Sequence, residues 1–206
     1  SVGSAHAVLE AGRAQAVNGE LVQECAAGLL PITVQGEGAE RVISVRAPRG
    51  KHIATNDVAK ALLPAALHGM NLGELPPALI NNGPMWWCVP LADEAAVRTL
   101  QPAQAAIAAL NRATQSVGLA VFAKADAGDY QLVVRAFCPA DNIPEDPVTG
   151  SANAAIAAYL NQCQALSAIG NPYTASQGRE LGRDGMVQVR VDAEGEVWIG
   201  GKTQTV

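Results

Sequence analysis

The chain has no run of lysine or arginine, and its 206 residues carry 14 basic against 19 acidic side chains, a formal charge of −5. A surface so balanced gives nucleic acid or an anionic membrane no extended attraction, so neither is expected as a partner. No apolar stretch approaches the roughly 20 residues of a membrane span, and no signal peptide opens the sequence; a cytoplasmic location is expected. The four cysteines, Cys25, Cys88, Cys138 and Cys163, form no CxxC pair and have no histidine at metal-ligand spacing. Zinc and a redox dithiol are therefore disfavoured, and the thiols are expected to be buried in a reducing compartment. What the chain does have is a 49% hydrophobic content, enough for one large or two small domains with cores that need no metal or disulfide.

Periodicity organises that content. SVGSAHAVLEAGRAQAV places apolar residues at helical spacing over residues 4–16. LVQECAAGLLPITVQG and RVISVRA alternate as strands do, with turns at Gly28 and at residues 36–38. Pro48, Arg49 and Gly50 form an unpatterned connector, and a domain boundary is expected near Gly50. Thr55 or Asn56 then offers a cap for a helix over residues 58–63. NNGPMWWCVPL reads as a turn and a buried strand, residues 93–100 and 102–114 as helices, and GLAVFAKA and YQLVVRAF as strands. Three prolines in the eleven residues of CPADNIPEDPV predict a rigid loop without regular structure. A helix from Gly150 and the strands MVQVRV and EVWIG complete an α+β pattern.

The stretch EDPVTGSANAAIAAYL, residues 145–160, sets two carboxylates, a proline, Thr149, Gly150 and Ser151 directly before an alanine-rich helix. Asp-Pro opens turns and Thr149 is an ordinary N-cap type, so the residues alone leave a purely structural reading open. The helix near the start of the chain begins in the same way: GSAHAVLEA at Gly3 echoes GSANAAIAA at Gly150. In both, glycine and small residues leave several first-turn N–H groups unobstructed, a setting that attracts an anion through those donors and the helix dipole. Chance similarity in an alanine-rich chain is the competing explanation. The candidate site is Gly150 and Ser151 together with Gly3 and Ser4, all in reach of a small carboxylate, with Asp146 beside them for proton transfer.

The run RAFCPADNIPEDPVTGSANAAIAAYL, residues 135–160, resembles the signature of the PhzF-type isomerases and epimerases of phenazine biosynthesis, whose fold is similar to that of diaminopimelate epimerase. SVGSAHAVLEAG, CAAGLLPITV, NNGPMWWCVPL, SQGRELGRDGMVQVRV and VWIGG resemble further family segments in the same order, so the resemblance spans nearly the whole chain. It implies two pseudo-symmetric halves, each a curled, mostly antiparallel sheet around a central helix, with the active site between them. It also accounts for the echo of the two helix starts. The first half would be residues 1–49, incomplete, and the second residues 50–206, with the final residues able to return to the first half.

The resemblance implies an isomerase or epimerase that moves a proton at carbon on a small carboxylic acid, without metal or cofactor. Carried over by position, Asp146 matches the family's proton-handling aspartate, Gly150 and Ser151 the part that holds the substrate carboxylate, and Gly3 and Ser4 the corresponding end of the first helix. The motif DPVTGSA has no cysteine where the two-thiol racemases carry one. The family's catalytic glutamate and its Gly-His-Pro type motif have no counterpart before Ser1 and Val2, so the chain looks like a piece of a longer protein with impaired activity. A carboxylate-binding protein without chemistry, or one part of a split enzyme, are the alternatives. His6 lies inside the first helix and does not match the family's histidine; His52 and His68 are expected at the surface. Trp86, Trp87 and Phe137 are expected in the core. Arg135, Arg179 and Arg183 are candidates for a second acidic group on the substrate and stay unassigned. Homodimers occur in the family.

Overall fold

The computed structural model describes residues 2–125 and 128–205 of the chain. The first elements are α1 (Val2–Glu10) and an antiparallel meander of β1 (Glu20–Cys25), β2 (Gly28–Gln35) and β3 (Val42–Arg46). Ala5 of α1 packs with Ile32, Ile43 and Val45 in a small core of their own. The helix stops six residues short of the expected Ala16. Gly12, at φ +64°, adopts the left-handed backbone that closes a helix. Its N–H reaches the Leu9 carbonyl at 3.1 Å and that of Arg13 the Val8 carbonyl at 2.9 Å, which satisfies the last carbonyls of α1.

Beyond Gly50 come β4 (Lys51–Ile53), α2 (Asp57–Ala66), β5 (Ala78–Asn81), β6 (Met85–Pro90), α3 (Glu94–Arg98), α4 (Gln104–Thr114), β7 (Gly118–Lys124), β8 (Leu132–Cys138), β9 (Ile143–Asp146), α5 (Gly150–Gln162), α6 (Leu166–Ile169), β10 (Tyr173–Gln177), β11 (Gly185–Val191) and β12 (Val197–Lys202). Asn56 caps α2, its Oδ1 accepting the Ala59 N–H at 2.8 Å. The strands join in one sheet in the order β1-β2-β3-β12-β11-β10-β8-β7-β6-β5-β4, with β9 added to β8. β12 joins β3 to β11, pairing antiparallel with both. Close approach there needs a residue without a side chain: a Cβ at Gly200 would overlap Ser44.

The sheet wraps α5. Residues 152–160 of this helix are all buried, packed against β5, β6, β11 and β12. Its five alanines at 152, 154, 155, 157 and 158 make this possible, because they let a sheet that curls around the helix come close, while Asn153, Ile156, Tyr159 and Leu160 fill the remaining space. The opposite face of the sheet carries a second core, in which Trp87, Val89, Leu119, Val121, Val133 and Phe137 meet α2, α3 and α4. At ~25 cal/mol per Å² of apolar surface, burying each large aliphatic side chain in these layers contributes about 1.5–3 kcal/mol. Trp86, Trp87 and Phe137 are core residues as expected, none more than 1% exposed.

Two expectations are corrected. The proline-rich segment is not without regular structure: residues 139–141 make a 3-10 turn and residues 143–146 form β9. Because β9 pairs only with β8, Pro144 sits where a missing N–H is tolerated. The cysteines also divide, Cys88 and Cys138 being buried and Cys25 and Cys163 exposed.

Candidate functional site

The pleat of β9 separates the two adjacent carboxylates. Asp146 lies opposite Ala136 of β8, and successive side chains point to opposite faces of a strand. Glu145 therefore turns toward the face that carries Arg135, and Asp146 toward the face of α5. The Arg135 guanidinium holds Glu145 in a two-pronged ion pair, Nε to Oε1 at 2.9 Å and Nη2 to Oε2 at 2.7 Å. It also donates through Nη1 to the carbonyls of Val97 (3.1 Å) and Leu100 (2.8 Å) and lies over the Phe137 ring. Four of its five N–H groups are thus committed within the protein, and Arg135 is a structural anchor for the loop. Arg179 bonds to Asp184 and to the Tyr130 hydroxyl. His52 and His68 are exposed.

On the other face, the Asp146 carboxylate accepts the Thr149 hydroxyl at 2.6 Å through Oδ2. Thr149 occupies the N-cap position of α5 yet makes no side-chain cap, because its hydroxyl points back along the loop to Asp146. The first turn of α5 is consequently left uncapped by Thr149. Ser151 accepts the Trp86 indole N–H at its hydroxyl oxygen (3.1 Å), and its carbonyl accepts Nδ2 of Asn82 (2.9 Å). The indole fills one acceptor position of the Ser151 hydroxyl, so its own hydrogen is left to donate elsewhere.

Beneath this loop lies Gln177, the last residue of β10 and wholly buried. Its Oε1 accepts the Thr149 N–H (3.0 Å) and Nδ2 of Asn153 (2.9 Å). Its Nε2 donates to the Asp146 carbonyl (3.0 Å) and to the Thr149 hydroxyl oxygen (2.9 Å). Next to it Gly178, at φ +94°, brings its backbone against the Pro147 carbonyl so closely that a Cβ would collide with it. Nearby, burial and then the charges of Asp146 and Asp141 push the Cys138 thiol up to about 12, so it stays protonated at neutral pH.

Gly3, Gly150 and Ser151 line one cavity of about 620 Å³ between α1, α5 and β12, together with Asn82, Ile199 and Lys202 among others. The two helix starts that echo one another in sequence therefore face the same space. Ser4 and Asp146 are not among the lining residues; Ser4 is exposed on α1 and Asp146 accepts a hydrogen bond from the Thr149 hydroxyl. Neither glycine is demanded by packing. A Cβ at Gly3 would meet nothing within 4 Å, and one at Gly150 only Ile199 Cγ2 at an ordinary 3.7 Å. His6 of α1 reaches Thr205 and Glu10. Among the described residues no group of histidine, cysteine and carboxylate side chains is placed to hold a metal ion.

Sequence reasoning missed Gln177, Asn82 and the indole of Trp86. Glutamine at the end of the apolar strand YTASQ, just before glycine, was a legible signal, since a long polar side chain there must find internal partners. Asn82 sat within the NNGP turn, where asparagine is too common to stand out.

The family model described as phenazine biosynthesis-like protein matches residues 1–206. The chain belongs to that family. It is similar, at 30% identity over all of its length and 71% of the relative's, to a Schizosaccharomyces pombe protein named antisense-enhancing sequence 1. A protein of Escherichia coli K12 named uncharacterized isomerase YddE is 35% identical over 57% of this chain and 40% of its own. A similarly named isomerase of Deinococcus radiodurans is 37% identical over 59% of this chain and 39% of its own. Among solved structures, the PhzF-family protein of Bacillus anthracis superposes with a TM-score of 0.74 at 22% identity, covering 98% of this chain and 71% of the other. A hydroxyproline epimerase from Agrobacterium vitis superposes with a TM-score of 0.60 at 16% identity, over 100% and 64% of the two chains. The mixed α+β fold is thus that of PhzF-family and epimerase structures, and several of the chain's relatives are named uncharacterized isomerases. No helix among the described residues is long and apolar enough to cross a membrane.

Proposed function

We propose that this chain carries the carboxylate-binding walls and one acid–base residue of an isomerase that moves a proton at carbon on a small carboxylic acid. The observation that carries the reading is that Gly3 of α1 and Gly150 and Ser151 of α5 line a single cavity. The helix ends would hold the substrate carboxylate and stabilise negative charge that builds up as the proton leaves. Ser151 adds a hydroxyl hydrogen that its bond from Trp86 leaves available. Asp146, outside the lining and fixed by Thr149, serves as acid or base with its second oxygen. The substrate end would be reached directly or through a water. The cytoplasmic setting and a homodimer belong to the same proposal.

The test is solvent proton exchange. Full-length protein in deuterium oxide is incubated with a panel of carboxylic acids that includes trans-4-hydroxy-L-proline, and deuterium at carbon is followed by NMR. Exchange catalysed by the wild type should fall by about two to four orders of magnitude in Asp146→Asn, the usual loss for a general acid or base. Saturable binding of an acid with no exchange would instead favour a second reading, a carboxylate-binding protein without chemistry. That reading draws on the position of Asp146 outside the cavity lining.

A further inference from the structure

We infer that Gln177 is a positioning residue that acts on Asp146 through Thr149, fixing which carboxylate oxygen is free to exchange a proton. The inference rests on the acid–base role proposed for Asp146 and goes beyond it to a residue that touches neither the cavity nor the carboxylate. Two of the four partners of Gln177 are backbone groups. The Thr149 N–H can only be met by the side-chain oxygen and the Asp146 carbonyl only by the side-chain NH₂, so the amide has one orientation. With that orientation set, Nε2 donates its other hydrogen to the Thr149 hydroxyl oxygen at 2.9 Å. A hydroxyl that accepts there has a single hydrogen left, and the Asp146 Oδ2 at 2.6 Å receives it.

The consequence is a directed relay from a buried amide to a carboxylate. Oδ2 already shares its charge with that hydrogen and is the less basic oxygen for it, so proton exchange is directed to Oδ1. The same amide fixes the loop in place, because Oε1 also accepts from Asn153 on α5. Asp146 and the first turn of α5 are therefore registered to one another by one side chain on β10. Gln177 is 0% exposed, which keeps water from replacing any of these bonds and makes each of them strong.

Four variants of the full-length protein test this: Thr149→Val, Thr149→Ser, Gln177→Met, and the double variant that combines Thr149→Val with Gln177→Met. The acid of the panel that exchanges fastest in deuterium oxide is the probe, with Asp146→Asn as control. Thr149→Val and Gln177→Met should each lower kcat about tenfold and leave KM within about twofold. Thr149→Ser, which restores the hydroxyl, should recover to within about threefold of the wild type. The double variant should be no more than about twofold slower than the slower single one, because both substitutions break one relay. Multiplying losses, or loss in KM rather than kcat, would overturn the inference. An unchanged Asp146→Asn would instead remove the acid–base reading itself. A readout without substrate completes the test: the Thr149 hydroxyl proton should give a slowly exchanging NMR signal that disappears in Gln177→Met while the fold persists, and its survival there would also refute the relay.

Discussion

Gly150→Ala separates a glycine kept for the fold from one kept for a ligand. Gly150 is the first residue of α5, and its φ is not in the left-handed range, so alanine can adopt its backbone. The added Cβ would rest 3.7 Å from Ile199 Cγ2, an ordinary contact, and meets no other protein atom within 4 Å. Alanine also restricts the unfolded chain and favours the helix, so stability should stay level or rise by up to about 1 kcal/mol. For a chain of this size that is an increase of roughly 2–4 °C in Tm. The ligand side runs the other way. A hydrogen bond from a first-turn N–H to a carboxylate is worth about 1.5–3 kcal/mol, and a methyl group on the cavity wall displaces the anion from at least one of them. Affinity for the tightest-binding acid of the panel should then fall roughly 10- to 100-fold.

Calorimetric melting and titration of the same protein samples measure both sides. Gly178→Ala is the comparator: its φ of +94° and the collision with the Pro147 carbonyl make glycine a requirement of the fold there. Left-handed strain and overpacking together should cost about 2–5 kcal/mol. A Gly150→Ala protein destabilised by more than about 1.5 kcal/mol would mean that the glycine serves packing after all. Unchanged stability with unchanged affinity would mean that no anion sits at the start of α5.

The buried ion pair gives a second expectation. Glu145→Ala leaves the Arg135 guanidinium, whose side chain is 8% exposed, without its counter-charge. Urea denaturation should show a loss of about 3–5 kcal/mol, softened to the extent that the Val97 and Leu100 carbonyls still hold the cation. The thiols give a third: a thiol reagent should label Cys25 and Cys163 in the native protein and Cys88 and Cys138 only after unfolding. Burial pushes the Cys88 thiol up, as it does that of Cys138, so neither buried group offers a thiolate at neutral pH. Rapid native labelling of Cys138 would contradict the depth assigned to the loop.

Elements whose periodicity and caps agree were legible in sequence. Asn56 before an amphipathic run marked the start of α2, and the alternation of RVISVRA marked a strand. What escaped depended on distant partners. Gly12 ends α1 because a left-handed residue there lets two N–H groups reach back to Val8 and Leu9, and an apolar pattern that runs on to Val17 hides that stop. The prolines around β9 argued against a strand, and the strand forms because β8 supplies one paired side. The exposure of Cys25 follows from its place at the hairpin between β1 and β2, a tertiary fact that composition does not contain.

The adjacent acids show where sequence reading runs out and structure takes over. Glu145 and Asp146 are equivalent in charge, both precede the same glycine-serine start, and nothing in their order says which should be structural. A two-residue repeat decides it. Once β9 pairs with β8 so that Asp146 faces Ala136, Glu145 must share a face with Arg135 and Phe137, where an arginine already bonded to two carbonyls completes its fork. Asp146 must then face α5, where a hydroxyl and not a cation meets it. A guanidinium would have tied both carboxylate oxygens, as it does those of Glu145. One hydroxyl ties one, and the oxygen it leaves untied is what the proposed chemistry needs. A one-residue slip of β9 would exchange the two environments and leave the α5 face with an acid one position farther from Thr149, so the register of a four-residue strand is itself a determinant of the site.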